Sequence, residues 1–348
     1  MRPAILLAAA YAAAIIYASL EPFEGWRMPT DPLFGFLTAP WPRYTIISDI
    51  VLNIAAYFPF SALLYLVLRP ALSPRRATVA AILLSGMLSF TLESIQMLLP
   101  TRIASNVDLA TNIAGAAGGA CAARTWWPSL SASVRCRLRD GLAGDAGIVV
   151  VALWILVQLY PVPLAFGSGD LREALNLAPA FAHTAAAYAA AQATVVALFT
   201  GAAGLLVSLA LQPQRAPLPA AAVALLLALA VKSLATGTLT GAGWTQWITP
   251  GVVIGLAASA LALPWVVRQS LHTRATLAIA CLAAGVIAVN IAPQNPYQTT
   301  PVFMLPPEIT HLARFGHIML ALSVCWPLLA VAYCGWMIAA AARSGHRL

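Results

Sequence analysis

The sequence predicts an all-α fold: a polytopic transmembrane helical bundle of about ten spans with both termini cytoplasmic. Three observations predict it. Of 348 residues, 61% are hydrophobic and only 9% charged, and the mean hydropathy is +0.84. A soluble domain carries about 25% charged residues, so this chain cannot cover a water-facing surface of ordinary size. Apolar runs recur at the length of a membrane span, roughly 20 residues. Basic residues collect in alternate loops rather than spreading evenly.

Taken in order, the expected spans lie near 4–20, 47–69, 77–99, 108–124, 146–166, 184–211, 219–236, 249–267, 275–292 and 315–341. The first run, with Arg2 and many small residues, also fits a cleaved signal peptide, which leaves the other orientations unchanged. One set of loops holds Arg2, Arg69, Arg75, Arg76, Arg124, Arg135, Arg137, Arg139, Arg215, Arg268, Arg274, Arg343 and Arg347, which is 13 of the 19 basic residues. Only Asp140 and Asp145 accompany them, whereas Glu21, Glu24, Asp31, Asp170, Glu173 and Glu308 fall in the opposite set. The positive-inside rule places the arginine-rich set in the cytoplasm. An even number of spans gives the same side to both termini.

This distribution also accounts for the net charge of +8. In a soluble protein such a charge points to nucleic acid; here cytoplasmic arginines explain it, and no nucleic-acid partner is expected. The five cysteines, Cys121, Cys136, Cys281, Cys325 and Cys334, lack metal-ligand spacing and fall in spans or cytoplasmic loops. No external disulfide is expected. No P-loop, Gly-x-Ser-x-Gly elbow or His-Glu-x-x-His occurs, so ATP-driven transport and the common hydrolase chemistries find no support.

The organisation reads as a four-helix membrane domain over 1–125, a basic cytoplasmic linker over 126–145 and a six-helix membrane extension over 146–348. The external loop 21–46 is rich in proline and aromatics, among them Trp26 and Trp41, and is expected at the outer interface. The linker carries Arg135, Arg137 and Arg139 behind Trp126 and Trp127, a pattern attracted to anionic lipid. Spans 1, 5 and 9 each end at a proline, at Pro22, Pro161 and Pro293. That is a weak four-span recurrence, and proline past a helix end is also ordinary.

The informative polar residues are concentrated in spans 2 to 4. Span 2 opens with Asp49 and Asn53, span 3 carries Glu93 and Gln96 before Pro100, and span 4 opens with Asp108 and Asn112. Spacings of three and four put each pair on one face of its helix. At 1.5 Å per residue, Asn53, Gln96 and Asn112 all lie within about 10 Å of the outer end of their helices. Asp49 and Asp108 sit near helix N-termini, where a carboxylate is favoured. Gly115 and Gly119, among alanines, have the small-xxx-small spacing that lets helices approach closely.

The series Asp49-x-x-x-Asn53 with Phe58-Pro59-Phe60, then Glu93-x-x-Gln96, then Pro100-x-Arg102, then Asp108-x-x-x-Asn112-x-x-Gly115-x-x-x-Gly119 resembles the VanZ-like family of teicoplanin-resistance-associated membrane proteins. The resemblance covers about residues 5–125. Two features depart from the family pattern: Phe60-Ser61 stands where a glycine often follows the Phe-Pro, and six further spans follow residue 145. The resemblance implies a bacterial inner-membrane protein of the cell envelope with a link to glycopeptide susceptibility. It implies no established molecular activity.

Ionisable groups inside a bilayer are costly and mark sites. Glu93, Asp108 and Asp49 are therefore candidate catalytic groups, and Asn53, Gln96, Arg102 and Asn112 candidate substrate-binding groups. Gly115 and Gly119 are assigned to helix packing. Three acids can hold a divalent cation through oxygen ligands, a glutamate can act as acid or base, and Arg102 can pair with the phosphate of a lipid carrier. The same residues can equally form an interhelical hydrogen-bond network. The expected partner is a membrane lipid or a lipid-linked envelope precursor, with a transporter or flippase, or a scaffold, as the alternatives. Lys232 lies inside span 7 near its outer end, where snorkelling to the interface is one reading and a polar role within the span the other. Glu308, His311, Arg314 and His317 rise along one side of span 10, and Asn290, Gln294, Asn295 and Tyr297 precede it. Gly251 and Gly255 read as packing residues.

Overall fold

Several helix starts are marked by a hydroxyl that takes up one of the backbone N–H groups left without an intrahelical partner. Ser73 accepts from the Arg76 N–H, Thr184 from Ala187, Thr249 from Val252 and Ser270 from Thr273. Pro74 and Pro250 follow two of these caps at the first helical position, where a missing N–H costs nothing. A computed structural model describes residues 2–21, 23–29, 32–41, 47–159, 164–172, 175, 177, 180–212, 215–239, 243–295 and 310–345 of the chain.

The described residues form an all-helical protein. Its elements are α1 (Arg2–Leu20), a 3-10 turn (Gly35–Leu37), α2 (Ile47–Leu68), α3 (Pro74–Gln96), α4 (Asn106–Arg135), α5 (Leu142–Val157), α6 (Ala185–Ala210), α7 (Pro217–Leu239), α8 (Pro250–Val266), α9 (Leu271–Ile291) and α10 (Thr310–Gly345). Six segments are long and apolar enough to cross a membrane: Asp49–Leu68, Pro74–Gln96, Ala185–Ala210, Pro217–Gly237, Leu271–Ile291 and Met319–Arg343. Leu7–Leu20, Leu142–Val157 and Pro250–Val266 are shorter apolar helices. The small and polar residues of α4 keep it below the apolar character of the six.

Two boundaries differ from the sequence expectation. α4 runs on to Arg135, past its expected end near 124, with Pro128 inside it. α5 stops at Val157 instead of continuing to 166, and Gln158 caps it in a turn. Pro161 and Pro163 follow in the sequence, and neither supplies the N–H that a continuing helix needs. Residues 164–169 and Arg172 are buried without being helical, with Asp170 and Leu171 half-buried between them.

The chain divides into two compact units, Met1–Val134 and Arg135–Leu348. In the first, α1 and α3 pack on α2. Its interior consists of two small apolar clusters, one around Tyr57, Phe60, Leu92 and Leu99, the other around Tyr65, Ala77, Ala81 and Ala120. In the second, α6 is buried along most of its length and is enclosed by α5, α7, α8 and α9, while α10 packs on α5 and α9. Trp154, Phe166, Phe199 and Trp326 belong to one continuous core there. Gly251 and Gly255 lie against α6, where added Cβ atoms would stand 2.7 and 2.5 Å from the Ala189 and Ala193 carbonyl oxygens.

The end of α6 explains several basic residues beyond their topological role. Arg139 donates from Nε to the Leu209 carbonyl at 2.8 Å and from its backbone N–H to Ala210 at 2.9 Å. Arg274 donates to the Ser208 carbonyl at 3.1 Å. Cationic donors at a helix C-terminus satisfy orphan carbonyls and complement the negative end of the helix dipole.

Candidate functional site

The site in the first unit is built by one close helix pairing. A Cβ on Gly115 would stand 2.5 Å from the Ile54 carbonyl oxygen, and one on Gly119 would overlap the Phe58 carbonyl. Bare backbone on α4 therefore lies directly on α2. Because Ile54 faces Gly115 and Phe58 faces Gly119, the two helices run parallel in register. One turn back, the same register brings the opening residues of α2 beside those of α4. Asp108, in the first turn of α4, has Asn53 as a side-chain hydrogen-bonding neighbour and lies within electrostatic reach of Asp49 and Arg102. Asp49, in the first turn of α2, is half-buried.

The end of α3 supplies the third acid. Glu93 is 4% exposed, and its Oε2 accepts the Ser105 N–H at 2.8 Å. Ser105 in turn starts α4, its hydroxyl accepting the Val107 and Asp108 N–H groups at 3.2 and 3.3 Å. The carboxylate thus holds the joint between α3 and α4, within electrostatic reach of both Asp108 and Arg102.

Gln96 and Arg102 turn to α1. Gln96 donates from Nε2 to the Ser19 carbonyl at 2.9 Å, and Arg102 donates from a terminal nitrogen to Ala18 at 2.5 Å. Both donate to carbonyls of the last turn of α1, where a cation is electrostatically favoured. Asn112 donates to the Ser89 hydroxyl at 2.9 Å, and its Oδ1 is a buried acceptor without a hydrogen-bond partner among the described residues. Tyr57 interacts with Ser89 and lies near Glu93.

The structure brings Asp49, Asn53, Glu93, Arg102 and Asp108 together, with Gln96 and Asn112 at the margins. Gln96 and Asn112 contact α1 and Ser89 rather than the acids. Three carboxylates face a single guanidinium, and a buried carboxylate excess attracts protons or cationic and donor-rich ligands. Among the described residues, no group of three or more His, Cys, Asp or Glu is arranged to hold a metal ion. The divalent-cation option therefore finds no geometric support. Ser89, Ser105 and Tyr57 also belong to this region. Their serines and tyrosine carry no periodic signal, and only the N-cap pattern Ser105-x-x-Asp108 would have singled one out.

Over the same end of the unit lie residues 23–29 and 32–41. Arg27 donates its N–H to Leu98 at 2.9 Å, and Asn106 donates to the Ala39 carbonyl at 2.7 Å. Phe34 and Phe36 approach Phe90, with ring centroids 5.6 and 6.3 Å apart. Trp26, Met28, Leu33 and Trp41 stay exposed. Phe23 and Phe34 both hold left-handed backbone, at φ +62° and +65°. Bulky residues adopt this conformation only when their surroundings fix it.

In the second unit the snorkelling reading of Lys232 does not hold: the residue is 3% exposed, with Nζ 6.0 Å from the Phe166 ring centroid. Two turns of α7 lie between it and the helix end, and the buried segment 164–172 stands against it. Asn290 has a structural place, accepting the Leu171 N–H at 2.8 Å and donating to the Gly169 carbonyl at 2.8 Å. Glu308, Tyr297 and the side chains of His311, Arg314 and His317 lie outside the described residues.

Fold and site together define the class: a helical membrane protein whose first unit carries a polar, acid-rich site. Residues 5–127, from α1 through most of α4, match the family model described as VanZ/LLP1, so this part of the chain is VanZ-like. The match stops before α5. No curated protein and no solved structure matches the chain.

Proposed function

We propose that this is a bacterial inner-membrane protein whose VanZ-like domain binds or acts on an outer-leaflet cell-envelope component. The component is a lipid-linked glycan or peptidoglycan precursor, and the consequence is altered glycopeptide susceptibility. The observation that carries this reading is the meeting of Asp49, Glu93, Arg102 and Asp108 at the N-terminal ends of α2 and α4. The arginine distribution points that end outward. The exposed Trp26 and Trp41 beside it are suited to the headgroup layer, where indole rings concentrate. Arg102 supplies a donor for a phosphate, the acids accept from sugar hydroxyls, and Glu93 is placed to give or take a proton.

A non-catalytic scaffold is the second reading. It is favoured by the hydrogen bonds that Gln96, Arg102 and Asn112 already make within the domain. Isosteric variants separate the two. Glu93→Gln and Asp108→Asn keep shape and remove charge, so a site predicts normal membrane levels with the glycopeptide phenotype abolished. A scaffold predicts reduced membrane levels and a phenotype that declines only in proportion. An unchanged phenotype in both variants at normal levels removes this site from consideration.

A further inference from the structure

The second unit contains a cation whose charge nothing described answers. Lys232 lies inside α7 with its ammonium over the face of Phe166, and among the described residues it has no carboxylate or hydrogen-bond acceptor. Among the described residues the ion pair of this unit is Arg172 with Asp170 at 2.5 Å, and it does not involve Lys232. A buried ammonium of this kind is costly and marks a ligand site or pathway when it lies within a membrane.

The surroundings of Phe166 add to this. Its ring stacks on Trp154 with centroids 6.0 Å apart and meets Trp247 edge-on at 5.8 Å. The Trp247 indole N–H is used, donating to Ser233 at 3.2 Å and to the Trp244 carbonyl at 3.1 Å. Among the described residues, the buried Trp154 indole N–H has no hydrogen-bond partner, and neither has the Ser168 hydroxyl two residues beyond Phe166. The neighbourhood therefore combines an uncompensated cation with two unpartnered polar groups, an indole donor and a hydroxyl.

The segment that carries Phe166 and Ser168 is also unusual. Residues 164–172 are irregular and buried from Leu164 to Gly169, with φ +63° at Phe166 and +76° at Gly169. Three separate contacts hold them in place: the Asn290 amide, the Ser323 carbonyl receiving the Gly169 N–H at 3.0 Å, and Arg172 donating to Ala292 at 3.4 Å. Irregular backbone at membrane depth persists where protein buries it or where it lines a binding cavity. Interrupted segments of this kind form the ligand sites of many membrane bundles.

We infer that the second unit has its own binding site, at Lys232, Phe166, Ser168 and Trp154, for an anionic oxygen group such as a phosphate or carboxylate. Lys232 supplies the charge, Trp154 Nε1 and the Ser168 hydroxyl supply neutral donors, and the aromatic walls exclude water. This site is independent of the acid cluster in the VanZ-like domain and is of opposite charge.

The test uses the purified full-length protein in detergent after delipidation, followed by thermal unfolding. The probes are inorganic phosphate, acetate, and nanodiscs of phosphatidylglycerol against phosphatidylcholine at equal protein concentration. At a hundredfold excess over the dissociation constant, wild type gains about 5 °C with an anionic probe. A response to phosphate or acetate identifies a small solute, and a response confined to phosphatidylglycerol identifies a lipid headgroup. Lys232→Met loses the gain yet unfolds no earlier than wild type without ligand, because exchanging an uncompensated buried charge for an apolar side chain of similar length is neutral or stabilising. Trp154→Phe and Ser168→Ala keep the cation and each weaken the response several-fold. The proposal is overturned if no anion stabilises wild type, or if Lys232→Met responds as wild type does. It is equally overturned if Lys232→Met and Glu173→Gln both lower the ligand-free unfolding temperature alike, which makes the lysine half of an internal ion pair.

Discussion

The two units solve the problem of polar groups in an apolar chain in opposite ways. In the first, carboxylates are in excess, and they are positioned by a close backbone pairing of α2 and α4 at Gly115 and Gly119. Its apolar interior is split into two small clusters. In the second, a single continuous core surrounds α6, and the charge left over is one lysine against an aromatic wall. The difference teaches where each unit is fragile. The first depends on register, since a shift of α4 along α2 separates Asp108 from Asn53. The second depends on packing, since the segment that faces Lys232 is irregular and is held by Asn290, Ser323 and Ala292 from other parts of the chain.

The largest expected effect lies in the second unit. Phe166 is fully buried among Trp154, Trp247 and Lys232, and Phe166→Ala is expected to destabilise by about 3–5 kcal/mol through lost burial and the cavity left behind. Thermal unfolding in detergent measures it. A cost near zero would mean that the segment 164–172 is not part of the core, and the contrast between the units would collapse.

Next is Gly119→Val in the first unit. The new side chain collides with the Phe58 carbonyl of α2, and overpacking of this kind costs about 1–3 kcal/mol. Because the register is lost with it, the proposed envelope function is expected to fall together with stability, whereas Gly255→Ala in the second unit is expected to lower stability without touching that function. A smaller effect is expected for Asn290→Ala, which removes the clamp on Gly169 and Leu171. A cost of about 1–2 kcal/mol follows from the stranded backbone groups, and hydrogen exchange should report faster exchange at Leu171 than at the middle of α6. Smallest is Gln96→Ala, about 1 kcal/mol or less for one interhelical bond in a membrane, read as a modest loss of α1 protection from proteolysis.

These contrasts were unevenly legible in the sequence. The pairs Asp49 with Asn53 and Asp108 with Asn112 declare a shared helix face by spacing alone, and Gly115-x-x-x-Gly119 announces close packing. The register that joins them is a tertiary fact, set by which carbonyl on α2 each glycine meets. Asn112 shows the limit: its spacing puts it on the face of Asp108, while its hydrogen bond goes to Ser89 on α3. Apolar composition alone extends span 5 to 166 and leaves 167–172 as loop, whereas the structure ends α5 at Val157 and buries most of the irregular segment 164–172. The actual path depends on Asn290, more than a hundred residues away in sequence, which no local pattern encodes. The environment of Lys232 was hidden for the same reason: distance to the helix end predicts snorkelling only when nothing packs over the side chain.

The central claim is that Glu93 and Asp108 belong to one ligand site in the VanZ-like domain. Binding of a lipid-linked peptidoglycan precursor to the full-length protein in nanodiscs, measured by native mass spectrometry, tests it most directly. Wild type is expected to bind, Glu93→Gln and Asp108→Asn each to weaken binding at least about tenfold, equivalent to roughly 1.4 kcal/mol, and the double variant to do little more than either alone. Undiminished binding in both single variants would contradict the claim.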